Sequence, residues 1–321
     1  MKNKILFFLL VSFLATYSHA GIVKQFPFQD CTIELLDSKS AAEATNHSDD
    51  YTKALTSFDL QIRLGRKENV AEKDYLNLAA SQALTWDEED QQKLQQSFQE
   101  IEKFLESNKI HLNLPKKIQL LKTAGAEEFG AEGYTRENRI MLCVKGGQEI
   151  NTHVVAHELF HVFSRFNADT RNKIYAIFGF QKCNRINTAT AMDNRVITNP
   201  DCPFTEHFIA LNIGGKDRHF ALQLYSTKPF EENFSLQNAN IALLELENKN
   251  KQETPLIKDG KGVLLQLDEV PELFTKIGKN TFYVLHPEEI SAEHFSMWII
   301  AKKVPQPEFF DKMKEVLSEA K

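Results

Sequence analysis

The chain has 321 residues, of which 42% are hydrophobic and 26% charged, and its formal net charge is −6 at pH 7. This composition is typical of a folded protein with a substantial core and argues against a disordered chain. The excess of acidic residues provides no electrostatic reason to bind nucleic acid or an anionic membrane, so we expect neither as a partner.

The first twenty residues have the pattern of a secretory signal peptide. Lys2 and Lys4 precede an apolar run over residues 5–14, and the sequence SHA at residues 18–20 favours cleavage after Ala20. The apolar run is short for a transmembrane span, so an uncleaved anchor is the less favoured interpretation. We therefore expect an exported protein, periplasmic or secreted, without stable membrane association. Loss of the two lysines would take the net charge from −6 to −8.

Residues 21–115 are predicted to form a mostly helical N-terminal region that opens with two strand-like segments, VKQFPF and CTIELL. Apolar residues recur at spacings of three and four between Asp49 and Asn108, which indicates amphipathic helices. Thr85 is predicted to cap the last of these helices, because Glu88 follows it by three residues.

Residues 116–180 are predicted to contain two strands and two helices. LPKKIQLLKTAG and RENRIMLCVKGG read as strands, and QEINTHVVAHELFHVFSRF and ADTRNKIYAIFGF read as helices. Residues 181–280 are predicted to form a mainly β segment or insertion, with strands HFIALNI, HFALQLYS, NIALLEL and GVLLQL; PELFTKIG is an ambiguous short helix. Residues 281–321 return to helix in EEISAEHFSMWII and PEFFDKMKEVLSEA. The pattern as a whole predicts an α+β fold.

The cysteines Cys31, Cys143, Cys183 and Cys202 lie beyond the signal peptide, where an even number favours disulfide bonds. Their spacing contains no CxxC and gives little support to a cysteine zinc site. We expect a Cys183–Cys202 bond closing a short polar loop, with Cys31–Cys143 as the weaker pair. Four cysteines allow three pairings, and buried thiols are the alternative.

VVAHELFHVF, residues 154–163, carries the clearest chemical signal. On a helix, His157 and His161 lie one turn apart on one face, so both imidazoles can bind one Zn²⁺ ion. Glu158 lies on the neighbouring edge, from where it can act as a general base on water; this is the HExxH pattern. The alternative is a core helix whose histidines hydrogen-bond to backbone. The apolar neighbours favour a metal, because buried charges without partners are costly.

A catalytic zinc usually has three protein ligands and one open position, so a third ligand is needed. Ser164 and Asn167 stand where the metzincin pattern requires glycine and histidine, which excludes that family. No glutamate occurs between residues 159 and 205, so a short-range glutamate ligand is excluded as well.

The best candidate for the third ligand lies in YVLHPEEISAEHFSMW, residues 283–298. Proline suits the first turn of a helix there, and Glu289 and Glu293 would then lie one turn apart on one face. One carboxylate could bind zinc while the other accepts a hydrogen bond from a ligand histidine. Glu288, Glu293 and His286 are competing ligands, and an ordinary amphipathic helix is the alternative.

At this point the sequence resembles the gluzincin branch of the zincin-like zinc metallopeptidases. Glu289-Ile-Ser-Ala-Glu293 is similar to their ExxxD/E element, which implies Glu289 as the zinc ligand and Glu293 as the partner of a ligand histidine. The resemblance covers about residues 117–165 and 283–300, and 128 residues separate His161 from Glu289, a long gap for this group. ITNPDCP together with YVLHPEEI and EHF is also similar to secreted zinc proteases of unassigned substrate.

The resemblance implies a zincin-like core in which RENRIMLCVKGG forms an edge strand that pairs with an extended peptide. It also implies a secreted, Zn²⁺-dependent metallopeptidase acting on a peptide or protein. Glu158 would transfer a proton from water to the leaving amine, and Tyr283 could stabilise the oxyanion, unless it is only a strand aromatic. The alternatives are a catalytically silent zincin-fold binding protein and a zinc amidase that acts on cell-wall peptide.

Overall fold

The computed structural model describes residues 21–144, 149–232 and 234–319, which mix helices and strands as an α+β fold does. The predicted signal peptide, residues 1–20, lies outside the described residues. Within these ranges, no helix is both long enough and apolar enough to cross a bilayer.

The secondary structure follows the chain in three groups of elements. The first group is β1 (Ile22–Phe28), β2 (Cys31–Leu36), α1 (Ser38–Thr45), α2 (Asp50–Ala54), α3 (Ser57–Leu64), α4 (Glu72–Ser81), β3 (Ala83–Leu84), α5 (Glu88–Ser107), β4 (Lys117–Thr123), β5 (Gly133–Arg136), β6 (Arg139–Cys143), α6 (Thr152–Phe166) and α7 (Ala168–Ile177). The second is β7 (Phe180–Lys182), β8 (His207–Ile213), β9 (Lys216–Ser226), β10 (Ala239–Lys249), β11 (Gln252–Pro255), β12 (Ile257–Lys258), β13 (Lys261–Gly262) and β14 (Leu264–Gln266). The third is α8 (Pro271–Ile277), α9 (Pro287–Ile299) and α10 (Glu308–Glu319).

The first sheet has the order β1-β2-β4-β6-β5, with β3 paired to β4. Strands β2, β4 and β6 are parallel, whereas β1 and β5 run antiparallel to their neighbours. Because β2 pairs with β4, the predicted N-terminal region and the predicted core range share one sheet. The prediction that RENRIMLCVKGG supplies the edge strand is wrong: its residues 139–143 form β6, which lies between β4 and β5.

Strand β5 is the edge strand of this sheet, and the sequence analysis did not predict it. It folds back on β6 through a tight turn in which Glu137 adopts a positive φ of 55°. A four-residue strand, GYTR, contains too few alternating apolar positions to stand out as a period-two pattern.

Helix α5 begins two residues later than the predicted cap at Thr85 implies. The carboxylate of Asp87 accepts a hydrogen bond from the backbone N–H of Asp90 at 2.9 Å, so Asp87 is the N-cap and α5 begins at Glu88. Aspartate caps a helix as well as threonine does, and Asp87 has the extended backbone that a cap requires.

The second sheet has the order β11-β10-β9-β8-β7, with β14 also paired to β10. All of its described pairings are antiparallel. Of the segments predicted as strands, HFIALNI coincides with β8, HFALQLYS and NIALLEL lie within β9 and β10, and GVLLQL contains β14. PELFTKIG, ambiguous in sequence, forms α8.

The main core joins the first sheet to α6 and α9 and continues to the second sheet. Helix α6 begins after Asn151, whose side chain accepts a hydrogen bond from the N–H of Val154. Most of its apolar residues are buried, although Phe166 at its end is 49% exposed, and Phe160 contacts Phe295 of α9 with ring centroids 5.5 Å apart. Because α6 packs along α9, the histidine face of α6 is directed at the acidic start of α9.

The predicted disulfide bonds are wrong, since Cys31, Cys183 and Cys202 are all present as thiols and the described residues contain no disulfide. Cys31 begins β2 and Cys143 ends β6, so they lie at opposite ends of a parallel array with β4 between them. Cys183 packs beside the second sheet, whereas the sulfur of Cys202 lies 3.9 Å from Glu289. Two sulfurs must be about 2 Å apart to bond, and the described residues contain no such pair.

Candidate metal centre

His157, His161 and Glu289 converge between α6 and α9. One potential ligand atom from each lies within 4.8 Å of the other two. Oε2 of Glu289 is 3.1 Å from Nε2 of His157 and 3.8 Å from Nε2 of His161. Two imidazole nitrogens and one carboxylate are a donor set that Zn²⁺ accepts.

The opposite nitrogen of each ring faces a different carboxylate. Nδ1 of His161 donates to Oε1 of Glu288 at 2.8 Å, and Nδ1 of His157 lies 3.5 Å from Oε2 of Glu293. Such contacts hold both rings with their Nε2 atoms directed at the same point. The Glu293 position is the one that the gluzincin resemblance implied, whereas the partner of His161 is Glu288, which we had considered only as a competing ligand.

One ring nitrogen of His161 lacks a hydrogen-bond partner among the described residues. Nε2 of His161 is buried and has no hydrogen-bond partner within the part of the chain that the structure describes. Its neighbour Glu289 lies beyond hydrogen-bond distance at 3.8 Å. An unsatisfied buried nitrogen directed at a carboxylate and a second imidazole is compatible with a metal ligand. The residues present therefore fit a zinc ion.

The two histidines lie in a strongly negative environment. Burial alone would lower the pKa of His157, but hydrogen bonds to Glu289 and Glu293 outweigh it and raise the pKa well above its usual value. Burial likewise opposes protonation of His161, yet the charges of Asp201 and Glu289 raise its pKa to about 9. A site that stabilises protonated imidazoles also attracts a divalent cation, which competes with those protons.

Glu288 and His286, the other candidates for the third ligand, have different roles. Glu288 is 2% exposed and accepts hydrogen bonds from Ser164 and Tyr175 as well as from His161. His286 caps α9, with its Nδ1 accepting from the N–H of Glu288 at 3.1 Å. Pro287 occupies the first turn of α9, as predicted.

Replacing Glu288 by glutamine should weaken zinc binding by about 10- to 100-fold, because the neutral amide holds the His161 ring less firmly and lowers its basicity. The affinity can be measured by competition with a chromophoric chelator. Glu308→Gln, the same change at an exposed position of α10, is the matched control. Equal affinities in the two variants would show that Glu288 does not orient a ligand.

Glu158 lies beside the three converging groups and is 3% exposed. Its Oε2 accepts a hydrogen bond from the hydroxyl of Thr135 at 2.7 Å. Burial raises the pKa of this carboxyl, while the charges of the two imidazoles lower it. A carboxyl with a raised pKa is better matched to proton transfer near neutral pH than an exposed one.

Gly133 of β5 makes room for Glu158. A Cβ atom at this position would lie 2.7 Å from Oε1 of Glu158, closer than a real contact allows. The carbonyl of Glu132 accepts a hydrogen bond from Cys143, so the alternation of an antiparallel pair turns the backbone of Gly133 and Thr135 away from β6. The outer edge of β5 therefore runs past Glu158.

A segment of sequence NPDCP, residues 199–203 and hereafter the NPDCP loop, also enters the centre. Nδ2 of Asn199 donates to Oε1 of Glu289 at 2.7 Å, which leaves Oε2 of Glu289 to face the imidazoles. A second set of ligand atoms, from Glu158, His161 and Asp201, also lies within 4.8 Å of one another. Burial raises the pKa of Asp201 well above its usual value.

The start of the NPDCP loop is attached to α3 through Thr198. Its N–H and hydroxyl both donate to Asp59 at 2.8 Å, and its carbonyl accepts from Arg63 at 2.7 Å. Arg63 is also paired with Glu128 at 2.9 Å, inside the protein. Breaking a buried, hydrogen-bonded pair is costly, so this network fixes where the loop begins.

Tyr283 lies near the centre but not in contact with its carboxylates. Its ring centroid is 6.1 Å from that of His157, and 46% of the residue is exposed. It precedes α9 and is not part of a described strand, so the expectation of a strand at this position is wrong, whereas its role stays a prediction. It lines a cavity of about 390 Å³ together with Gly133, Asn199 and Asp201.

Sequence reasoning did not identify Gly133, Thr135, Asn199 and Asp201 as parts of the centre. The only available signal was the sequence ITNPDCP, in which two prolines enclose polar residues, and we noted it for its resemblance alone. Thr135 and Gly133 belong to a strand too short to recognise, so their position beside Glu158 could not be predicted.

Comparison with family models, with curated proteins and with solved structures gives no match to this chain.

Proposed function

We propose that this chain is an exported zinc metallopeptidase of the gluzincin type. The observation that carries the proposal is the convergence of His157, His161 and Glu289 within 4.8 Å, with Glu158 buried beside them. Carboxylates hold the opposite nitrogens of both rings, which is the support that metal-binding histidines usually have. The HExxH spacing and the Glu289–Glu293 spacing explain why these groups lie on facing helices.

The proposed reaction is hydrolysis of a peptide bond, and each residue has one role in it. His157, His161 and Glu289 would hold the zinc, which when bound supplies a Lewis acid that activates water and polarises a carbonyl group. Glu158 takes a proton from the attacking water and delivers it to the leaving amine nitrogen. Thr135 keeps the Glu158 carboxylate in position through its 2.7 Å hydrogen bond.

The edge of β5 provides a place for the substrate. An extended peptide can pair with the backbone of Gly133, whose N–H and carbonyl point away from β6, and its next residues then pass Glu158. Tyr283 lines the same cavity, and we propose that it contacts substrate and donates a hydrogen bond to developing negative charge. The substrate we propose is therefore a peptide or protein segment in extended form.

The proposal is tested on the purified chain by zinc analysis and by peptide hydrolysis with and without a chelator. We expect one bound zinc, cleavage of casein or of peptides from a library, and loss of cleavage on chelation that added zinc restores. Bound zinc without hydrolysis of any peptide would support the alternative of a catalytically silent binding protein. Cleavage restricted to cell-wall peptide would support the amidase, and the absence of bound zinc would contradict the proposal.

A further inference from the structure

Asp201 lies next to the proposed metal site and shares one of its histidines. Its carboxylate, that of Glu158 and one ring nitrogen of His161 are within 4.8 Å of one another. Nδ1 of His161 is bonded to Glu288, so Nε2 is the nitrogen available to both Asp201 and Glu289. The two groups of ligand atoms share His161, so Asp201 borders the same proposed metal site.

The NPDCP loop is also hydrogen-bonded to the outer edge of β5. The N–H of Thr135, which points outward from β5, donates to Oδ1 of Asp201 at 2.6 Å. Arg165 donates to the carbonyl of Thr135 at 3.3 Å and to the carbonyl of Asp201 at 3.1 Å. Both outward backbone groups of Thr135 are thus bonded to the protein itself, at the position next to Gly133 where a peptide would continue its pairing.

The loop divides the space around the centre. A cavity of about 560 Å³ lies on the side of Ser164, Arg165 and Glu288, and one of about 390 Å³ lies on the side of Gly133 and Tyr283. Pro200 and Asp201 line both cavities. These two residues therefore separate the two cavities at the point where both approach the centre.

We propose that the structure is a closed, self-inhibited form, in which Asp201 is the fourth protein ligand and the NPDCP loop fills the place of the substrate. The inference rests on the proposed function, because it concerns the same metal. Zinc sites with four protein ligands are closed, and catalytic sites keep one position open for water. Hydrolysis would therefore require the loop to leave, which frees the fourth position and the outward N–H of Thr135.

The test compares the wild-type chain with Asp201→Asn, which keeps the size of the side chain and its ability to accept from Thr135. Cobalt(II) replaces zinc as a spectroscopic probe, because its visible absorption depends on the number and type of ligands. We expect the bands to change and zinc affinity to fall by at least about tenfold. We also expect kcat/KM to rise about tenfold. This is the rise expected if about 90% of the wild-type chain is in the closed form and the variant is open.

Arg165→Gln provides a second variant that leaves every proposed ligand in place. It removes the side chain that donates to the carbonyls of both Asp201 and Thr135 and so weakens the attachment of the loop to β5; kcat/KM should rise while the HExxH residues are untouched. Asp193→Asn, the same chemical change as Asp201→Asn but on a surface residue paired with Arg195, is the matched control and should have no effect.

The outcomes separate this inference from the metal site itself. Suppose that the wild-type chain binds zinc and that Glu289→Ala loses it. If Asp201→Asn then has the same cobalt spectrum, zinc affinity and turnover as the wild-type chain, the inference is overturned and the proposed function stands. Lower turnover in both Asp201→Asn and Arg165→Gln would overturn self-inhibition, since the loop would then be needed for the reaction. Absence of zinc from the wild-type chain would overturn both proposals.

Discussion

Replacement of Glu158 by glutamine is expected to leave zinc bound and to lower kcat for peptide hydrolysis by about 10²- to 10⁴-fold, the usual contribution of a general base. The amide has the size of the carboxylate and can still accept the hydrogen bond from Thr135, so the site should keep its shape. What it loses is the ability to take a proton from water. The measurements are zinc content by mass spectrometry and initial rates on a cleavable peptide.

The control for this variant is Glu137→Gln, because Glu137 lies in the turn after β5 and its carboxylate pairs with Arg139 at the surface. This control should keep full activity. Retention of wild-type turnover by Glu158→Gln would exclude Glu158 as the base, and loss of zinc from that variant would show that Glu158 holds the metal rather than acting on water.

Replacement of Glu289 by alanine is expected to remove stoichiometric zinc and, with it, hydrolysis. Glu289 is 1% exposed, and its Oε2 is the only carboxylate oxygen in the described ranges that lies within 4 Å of Nε2 of both histidines. Its loss leaves two imidazoles, one fewer protein ligand than a catalytic zinc usually has. We expect the affinity to fall by more than the factor of about 10 to 100 that is typical for a residue that only orients a ligand.

The matched control is Glu293→Ala on the same face of α9, one turn further along. Its carboxylate lies 3.5 Å from Nδ1 of His157 and orients the ring, so its removal should weaken zinc binding less than Glu289→Ala does. The order of the two affinities decides the assignment. If Glu293→Ala had the larger effect, or if Glu289→Ala kept its zinc, the third ligand would not be Glu289.

Several features of the fold could be predicted because they depend on residues close together in the chain. The apolar spacing of residues 154–163 predicts a buried helix, and α6 covers that range. The position of Pro287 predicts a helix start, and α9 begins there. The mixed α+β character is confirmed as well, since helical and alternating patterns are separate along the sequence.

The features that were missed depend on contacts between distant segments. An even number of cysteines allowed a Cys31–Cys143 bond. The parallel order of β2, β4 and β6 instead places the two residues at opposite ends of the strands. The edge position of β5 likewise follows from the order of strands in the sheet. Such order is an outcome of how strands pair, and the sequence of any one strand does not state it.

The sequence by itself determined the candidate chemistry: helical periodicity puts His157 and His161 on one face, and the same periodicity puts Glu289 and Glu293 on one face of another helix. Only the tertiary structure decided that these faces meet, that Glu288 holds His161, and that Asp201 enters from a loop. The physical reason is that the spacing of residues on one helix is set by local backbone geometry, whereas the approach of two helices and a loop depends on burial across the whole core.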